Sequence, residues 1–242
     1  MSGAASPLVE VEELRFAWRR DAAPVVDIER LAVDAGERVF LFGPSGSGKS
    51  TLLGLLGGVL VPDAGSVRIA VDGAATELAA LGGAARDRFR VDHIGFVFQQ
   101  FNLVPYLSVI DNVLLPCRFS ARRRTRCGPS GMHAQAERLL RALDLAPALA
   151  ARPVTQLSVG QQQRVAAARV LIGRPELVIA DEPTSALDAE RQDGFLELLL
   201  AECAASNASL LFVSHDRRLA RHFTRELALP SLNRAAEADA AA

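Results

Sequence analysis

The segment around residues 39–60 constrains the fold of this chain more than any other part of it. An apolar run at residues 39–42 predicts a buried strand, and residues 51–60 predict a helix. Between them lies Gly43-Pro44-Ser45-Gly46-Ser47-Gly48-Lys49-Ser50, which has the pattern G-x-x-x-x-G-K-S. Its glycines allow consecutive backbone N–H groups to surround an anion, and the helix adds its positive N-terminal dipole. The segment therefore predicts a phosphate-binding loop in an α/β fold.

Lys49 sharpens this prediction because it is the only lysine among 27 basic side chains. The chain uses arginine everywhere else, yet it has lysine at the position where a planar guanidinium would not pack between phosphates. A compact ammonium group can reach the β- and γ-phosphates of a nucleotide held by such a loop. The alternative is a chance Gly/Ser loop, but such a loop would not need the strand predicted before it and the helix predicted after it.

The composition of the 242 residues narrows the class of protein further. Hydrophobic residues make up 50% of the chain, enough for one large domain or a core with an inserted subdomain. The net charge of −1 gives no support for nucleic acid as a partner, and we expect none. Residues 1–7 lack the features of a signal peptide, and the apolar run at 52–61 is too short to span a bilayer. Cys117, Cys127 and Cys203 lack metal-ligand spacing, which predicts free thiols in a reducing, cytoplasmic compartment.

A second predicted site lies where a later strand ends. Asp181 and Glu182 directly follow an apolar run at residues 177–180, so they should lie at the carboxyl edge of a parallel sheet, where nucleotide sites occur. Asp181 would then hold Mg²⁺ together with the Ser50 hydroxyl. Glu182 would face the γ-phosphate and orient or deprotonate the attacking water. The alternative is a pair of surface carboxylates that begins a loop.

Strands and helices alternate along most of the chain. Strands are predicted within residues 8–42 and at 67–71, 94–98, 177–180 and 210–213, and helices at 78–89 and 189–204. This alternation, interrupted by a stretch without strands, predicts an α/β core with a helical insertion. Within a single domain of residues 1–242, we place the core at 8–98 and 165–228, the helical subdomain at 99–164, and a disordered tail at 229–242.

The stretch Leu157-Ser158-Val159-Gly160-Gln161-Gln162-Gln163-Arg164 closely resembles the signature of ABC-type ATPases, usually written LSGGQ. Other motifs of that family are matched by an adenine-stacking aromatic at Trp18, a Q-loop glutamine at Gln99, a D-loop at Ser185-Ala186-Leu187-Asp188, and a switch histidine at His215. Only residues 1–7 and 228–242 fall outside the resemblance. It implies an α/β fold with a P-loop (RecA-like) core of mostly parallel sheet, an N-terminal antiparallel β subdomain and an inserted α-helical subdomain.

The resemblance also implies an ATPase that works as a head-to-tail homodimer with two ATP molecules and Mg²⁺ at its interface. One subunit would bind each ATP through Trp18 and the loop from Gly43 to Thr51, and its partner would cover it with the signature Ser158, Val159, Gly160 and Gln161. The catalytic residues would be Lys49, Gln99, Glu182 and His215, and the Mg²⁺ ligands Ser50, Gln99 and Asp181. ATP would favour the closed dimer because the signature grips a γ-phosphate that ADP lacks.

Val159 departs from the family pattern, which usually has glycine there. Valine adds a stiff, branched side chain near the phosphate and excludes the backbone conformations that only glycine adopts readily. If the backbone at this position is ordinary, the change is tolerated, and otherwise dimer closure is weakened. We expect a working site, and our hypothesis is that Val159→Gly raises turnover or dimer affinity.

Two other features have competing interpretations. Trp18, the only tryptophan, either stacks on adenine or is partly buried at a sheet edge; stacking predicts a saturable change in intrinsic fluorescence with nucleotide. The run Arg122-Arg123-Arg124-Thr125-Arg126 is either a solvated loop or a contact with anionic lipid headgroups.

Three classes of ABC protein compete. Soluble translation factors carry two such domains, and chromosome or repair ATPases need a long coiled-coil insertion, so the ATPase subunit of a transporter fits best. The stretches at residues 88–100 and 180–184 most resemble the lipoprotein-releasing and macrolide-exporting group; the alternative is a polar amino-acid importer ATPase. The resemblance then implies an integral-membrane permease partner of the FtsX-like four-span type, with the chain peripheral on the cytoplasmic side of the inner membrane.

Overall fold

The computed structural model describes residues 7–185 and 187–235. Its helices and strands run in the order β1 (Val9–Phe16), β2 (Val26–Val33), β3 (Arg38–Phe42), α1 (Lys49–Leu56), β4 (Ala64–Val71), β5 (Ala74–Glu77), α2 (Gly83–His93), β6 (Ile94–Val97), α3 (Val109–Phe119), α4 (Ala121–Arg126), α5 (Gly131–Ala142), α6 (Val159–Leu171), β7 (Leu177–Asp181), α7 (Ala189–Ser206), β8 (Ser209–Val213), β9 (Arg225–Ala228) and α8 (Leu229–Leu232). The described residues divide into two compact units, one formed by residues 7–90 and 211–235 and the other by residues 91–185 and 187–210.

The first unit contains an antiparallel sheet. Its four strands lie in the order β2-β1-β4-β5. Along β1 the side chains of Val9, Val11, Leu14 and Phe16 are buried, because alternate positions of a strand face the same side of a sheet. The alternation shifts by one residue between Val11 and Leu14, where Glu13 has φ 46° and the pairing with β4 is irregular, as in a β-bulge. The predicted N-terminal antiparallel subdomain is confirmed.

The strand that leads into the phosphate loop lies in the same unit. Strand β3 pairs in parallel with β9, with Val39 opposite Arg225, and its Phe40 is fully buried. The rings of Phe40, Phe212 and Phe223 pack against one another with centroids 5.2 to 6.4 Å apart. Such aromatic packing anchors the strand from which the loop begins.

The second unit combines a parallel strand pair with helices. Strand β6 pairs in parallel with β7, with Ile94 opposite Leu177. Helix α6 presents an apolar face, including Val165, Ala168 and Leu171, to the interior of this unit. Helices α3, α4 and α5 occupy the stretch for which the sequence predicted helices and loops without strands.

Three boundaries differ from the sequence-based expectations. The helix expected at residues 51–60 starts at Lys49 and ends at Leu56, because two glycines follow it and Gly58 has φ 66°. The helix expected at residues 78–89 is displaced toward the C-terminus, to α2.

The third correction concerns the tail. Residues 229–242 were expected to be disordered, which is wrong for residues 229–235. Strand β9 leads directly into α8, and the Asn233 side chain that follows is 1% exposed. Residues 236–242 lie outside the described part. The predicted boundaries of the core and the helical subdomain remain predictions; the compact units divide instead at Arg90 and Leu210.

Candidate nucleotide site

The phosphate loop connects β3 to α1 and depends on glycine at its last position. Gly48 is the N-cap residue of α1 and has φ 94°, a left-handed conformation that side-chain-bearing residues rarely adopt. A Cβ atom there would also lie 2.8 Å from the Val25 carbonyl oxygen. In the part of the chain that the structure describes, no side chain caps α1, so its first N–H groups are not occupied by a capping side chain.

Lys49 directly follows Gly48 and is largely buried, with only 7% of the residue exposed. Its Nζ donates to the Gly43 carbonyl at 2.9 Å and to the Pro44 carbonyl at 2.8 Å. These two hydrogen bonds bend the side chain back across the loop. The Ser47 hydroxyl is buried and has no hydrogen-bond partner among the described residues. An ammonium group, a hydroxyl and uncapped backbone N–H groups form a donor set that suits the phosphates of a nucleotide.

Trp18 is 62% exposed, and its ring meets the edge of Phe16 at a centroid distance of 5.2 Å. Most of the indole surface is therefore accessible to a planar ligand, although one contact at the sheet edge is retained. The role in adenine stacking stays a prediction.

His215 follows β8 in a turn that Ser214 organises. Ser214 is buried, and its Oγ accepts a hydrogen bond from the Asp216 N–H at 3.0 Å. The exposed His215 is thereby held on a short, fixed turn. The sequence pattern indicated the histidine but not the role of the serine that shapes its turn.

The predicted carboxylates lie at the end of β7, in the second unit. Asp181 is the last residue of that strand, and Glu182 has φ 45°. A left-handed conformation at a residue other than glycine is unfavourable, and such conformations concentrate at functional sites. It turns the chain where the strand ends, directly after Asp181.

The D-loop is held by a glutamine that sequence analysis missed. Gln192 of α7 donates from Nε2 to the carbonyls of Thr184 and Leu187, both at 3.1 Å. Asp188 is the N-cap of α7, and its carboxylate accepts from the Arg191 N–H at 3.0 Å. Ser185 lies between these anchors, and Ala186 lies outside the described residues.

The signature begins α6 with a capping box. The Ser158 hydroxyl accepts from the Gln161 N–H at 3.3 Å, and the Gln161 side chain accepts from the Ser158 N–H at 3.0 Å. Val159 is the first residue of the helix and is 50% exposed. Beside the signature lies an open groove of about 460 Å³, which Gly160, Leu187 and other residues line. The helical backbone at Val159 is ordinary for valine, which is the condition under which we expected the substitution to be tolerated.

Gln99 follows β6 on an exposed loop with two consecutive left-handed residues, Phe101 (φ 54°) and Asn102 (φ 49°). Arg169 of α6 donates to both of their carbonyls, at 2.6 and 2.7 Å. Burial lowers the pKa of Arg169. The signature helix and the loop that carries Gln99 are therefore joined by one guanidinium group, a contact that no local sequence pattern reveals.

The arginine run forms α4 and is largely held by contacts within the second unit. Arg123 is 2% exposed and donates to the carbonyls of Val91, Ile94, Val170 and Ile172. Burial lowers its pKa to about 10. The expectation of a solvated loop is wrong, since this arginine joins the end of α6 to the start of β6.

Two other arginines of this helix meet one carboxylate. Arg122 and Arg126 each lie 2.6 Å from Glu176. Burial would raise the pKa of Glu176, but hydrogen bonds from His93 and Arg122 outweigh it and lower that pKa to about 2. Arg124 is the exposed arginine of the run, and it donates to the Cys117 carbonyl at 2.7 Å.

Comparison with known proteins agrees with this geometry. The family described as ABC transporter matches residues 27–185. The chain belongs to the ABC transporter family. The lipoprotein-releasing system ATP-binding protein LolD of Novosphingobium aromaticivorans is 40% identical over 226 residues, which cover 92% of this chain and 96% of that protein. The macrolide export ATP-binding/permease protein MacB of Marinobacter nauticus is 37% identical, and the chain matches 33% of its length.

A solved structure agrees with this family assignment. The dimeric ATP-binding cassette MJ0796, in a post-hydrolysis state with ADP and Pi bound, superposes with a TM-score of 0.76 at 33% identity, over 91% of this chain and 93% of that one. The predicted fold class is confirmed, and so is the resemblance to the lipoprotein-releasing and macrolide-exporting group. The chain is an ATP-hydrolysing cassette of the ABC transporter type. Among the described residues, no helix is long and apolar enough to cross a membrane.

Proposed function

We propose that this chain hydrolyses ATP as one half of a head-to-tail homodimer and thereby drives an integral-membrane permease of the lipoprotein-releasing or macrolide-exporting type. The observation that supports the subgroup most is the 40% identity to a LolD protein that the chain matches over 96% of its length. The donor-rich loop at Lys49 and the carboxylates at the end of β7 supply the chemistry that hydrolysis needs.

Each unit contributes a different part of that chemistry. In the first unit, Lys49 and the N–H groups that begin α1 bind the β- and γ-phosphates, and Trp18 stacks on the adenine. His215, held on its turn by Ser214, donates a hydrogen bond to the γ-phosphate. Preorganised donors of this kind stabilise the charge that moves onto the phosphoryl oxygens during transfer.

In the second unit, Glu182 accepts a proton from the attacking water while Gln99 orients that water. We assign Ser50, Asp181 and Gln99 as the residues that hold Mg²⁺, which neutralises phosphate charge when bound. A small set of oxygen donors suits this ion, because Mg²⁺ keeps several waters and binds through few protein groups plus substrate phosphates. The described residues contain no cluster of three or more His, Cys, Asp or Glu that would compete as a metal site.

Dimer closure is proposed to depend on the signature. The Ser158 hydroxyl uses a lone pair for the Gln161 N–H, so its own proton remains available to a γ-phosphate of the partner subunit's ATP. The N-terminal dipole of α6 adds to this attraction. Because ADP lacks the γ-phosphate, closure would favour ATP and hydrolysis would release the dimer.

The permease would dock near the loop that carries Gln99. A groove of about 260 Å³ lies there, and residues 100–103, Pro105 and Gln162 contribute to its lining. We therefore also propose that the chain is a peripheral subunit at the cytoplasmic side of the inner membrane. A contact with anionic lipid headgroups remains a proposal, and the contacts within α4 restrict it mainly to the exposed Arg124. A polar amino-acid importer ATPase is the alternative subgroup.

The test uses tagged Glu182→Gln, which should bind ATP, fail to hydrolyse it and accumulate as a dimer. We would purify it with MgATP from detergent-solubilised native membranes and identify its partners by mass spectrometry. Glu190→Gln, at an exposed carboxylate in the first turn of α7, is the matched control and should retain turnover.

Recovery of a four-span permease with a large outer domain supports the proposal. An importer permease with its binding protein would overturn the subgroup, and the absence of any permease would overturn the transport role. A Glu182→Gln variant with normal turnover would remove Glu182 as the general base.

A further inference from the structure

The C-terminal segment of the first unit, residues 229–234, packs against the phosphate loop. Leu229 is fully buried. A Cβ atom placed on Gly43, the first residue of the loop, would lie 3.3 Å from Pro230 Cδ and 3.5 Å from Leu229 Cβ. The loop therefore begins in direct contact with the segment that the sequence predicted to be disordered.

Asn233 makes the polar part of this contact. Its Nδ2 donates to the Ser47 carbonyl at 3.2 Å and to the Val25 carbonyl at 2.9 Å. Its Oδ1 accepts from the Asp27 N–H at 2.8 Å and from the Ala235 N–H at 3.3 Å. All four partners are backbone groups with a fixed role as donor or acceptor, so they determine the orientation of the amide. With 1% of the residue exposed, water does not compete for these bonds.

Two of these bonds act on the conformation at Gly48. The Ser47 carbonyl belongs to the residue directly before Gly48, and the Val25 carbonyl is the atom that a Cβ at Gly48 would meet. Asn233 thus holds together the two backbone groups next to the left-handed residue that starts α1. A loop that is already ordered loses less conformational entropy when it binds a ligand.

We propose that Asn233 is a positioning residue for nucleotide binding: it fixes the phosphate loop so that the N–H groups at the start of α1 face the phosphates. It does this from a distance, through backbone atoms, and does not itself contact the nucleotide. This inference rests on the nucleotide-binding role of the loop proposed above. It also gives a function to a tail that departs from the pattern of the family.

The test compares Asn233→Ala and Asn233→Asp with the wild type and with Arg234→Ala. Arg234 lies in the same segment, but its ion pairs go to Glu13, Asp27 and Glu29 and not to the loop. For each full-length protein we would measure the Kd of a fluorescent ATP analogue, the KM and kcat of ATP hydrolysis, and the Tm.

We expect Asn233→Ala to raise the Kd and KM about 5- to 10-fold, as for the loss of one hydrogen bond, with kcat changed less than about twofold. Asn233→Asp keeps an oxygen for the Asp27 N–H but opposes the Ser47 and Val25 carbonyls with a second oxygen. It should therefore raise KM at least as much, and its Tm should fall further than that of Asn233→Ala, because an unpaired carboxylate would be buried. Arg234→Ala should keep the wild-type KM.

Unchanged Kd and KM in both Asn233 variants, with only a lower Tm, would reduce Asn233 to an anchor of the tail and overturn the proposal. An equal rise of KM in Arg234→Ala would also overturn it, since any loosening of the segment would then suffice. Should either Asn233 variant fail to fold, Asn233→Ser, which keeps a small polar side chain, takes its place in the comparison with Arg234→Ala. If the wild type does not bind the ATP analogue, the nucleotide-binding role itself fails, which is a distinct result.

Discussion

The two helix N-termini of the candidate site, those of α1 and α6, are built in opposite ways. Helix α1 starts at Gly48 without a side-chain cap among the described residues, so its N–H groups depend on another partner. Helix α6 starts at Ser158 with a capping box, which occupies the N–H groups of Ser158 and Gln161. We call the first the permanent site, because its donors belong to the loop of one subunit, and the second the conditional site, because the Ser158 proton would meet a phosphate only when the proposed dimer closes.

The contacts that hold the two helices in place also differ. At α1, the Asn233 side chain donates to the Ser47 carbonyl and Gly48 has a left-handed conformation; together they fix the residues that lead into the helix. For α6 the support is at the other end, where Arg123 donates to the Val170 and Ile172 carbonyls. A buried cation at the C-terminal end of a helix stabilises it through both hydrogen bonds and the helix dipole. The signature can then bind a phosphate at its N-terminus while the helix remains intact.

Removing that support should have the largest effect on stability. Arg123→Met leaves several buried carbonyls without a donor and should lower the free energy of unfolding by about 3 kcal/mol or more. Urea denaturation without nucleotide measures this change. Arg124→Met, on the exposed side of the same helix, should change it by about 0.5 kcal/mol or less. Equal effects of the two substitutions would show that the buried contacts of Arg123 do not support α6.

The permanent site is tested at Lys49. Lys49→Ala removes the ammonium from the loop and should lower turnover roughly 10²-fold, as for other preorganised charge-stabilising groups. Lys49→Arg should not restore it, because a planar guanidinium does not fit where Nζ now meets the Gly43 and Pro44 carbonyls. Steady-state hydrolysis of ATP at saturating concentration, with Tm as a check on folding, measures both. Normal turnover in Lys49→Arg would contradict the reason given for the single lysine.

The same contrast explains what the sequence could predict. The loop at residues 43–50 carries its chemistry in adjacent residues, so the strand, loop and helix around it were found, with helix boundaries a few residues off. Other parts of the site depend on side chains that donate to backbone carbonyls, either remote in sequence or about one turn away: Arg123, Arg169, Gln192 and Asn233. Nothing within R-R-R-T-R distinguishes a buried arginine from an exposed one, and a tail without a hydrophobic pattern resembles disorder. Such contacts depend on tertiary packing, which local patterns do not encode.

The conditional site is tested at Ser158 by separating its two roles. Ser158→Ala removes the cap and the hydroxyl, and it should cost about 1 kcal/mol of stability and lower turnover about tenfold. Ser158→Asp keeps a capping acceptor for the Gln161 N–H but directs a negative charge at the phosphate. It should therefore preserve the Tm and still lower turnover by more than tenfold. If Ser158→Asp retains both the Tm and turnover, the serine acts only as a cap, and the signature does not bind phosphate through it.

Val159 gives the smallest and most specific test. It is helical and half exposed, so the backbone freedom of glycine is not required there and only the branched side chain can hinder closure. The original hypothesis for Val159→Gly then extends to Val159→Ala, and both should raise turnover or dimer affinity by a similar factor of about two to three, equivalent to roughly half a kcal/mol. Sedimentation of the dimer in the Glu182→Gln background measures affinity apart from hydrolysis.

The two substitutions distinguish the remaining explanations. A rise in Val159→Gly alone would mean that the closed dimer needs a backbone conformation at this position different from the helical one. No change in either variant would retire the hypothesis, because valine would then be compatible with a fully working signature. A similar rise in both would establish that the signature of this chain is limited by a single branched side chain at the N-terminus of α6.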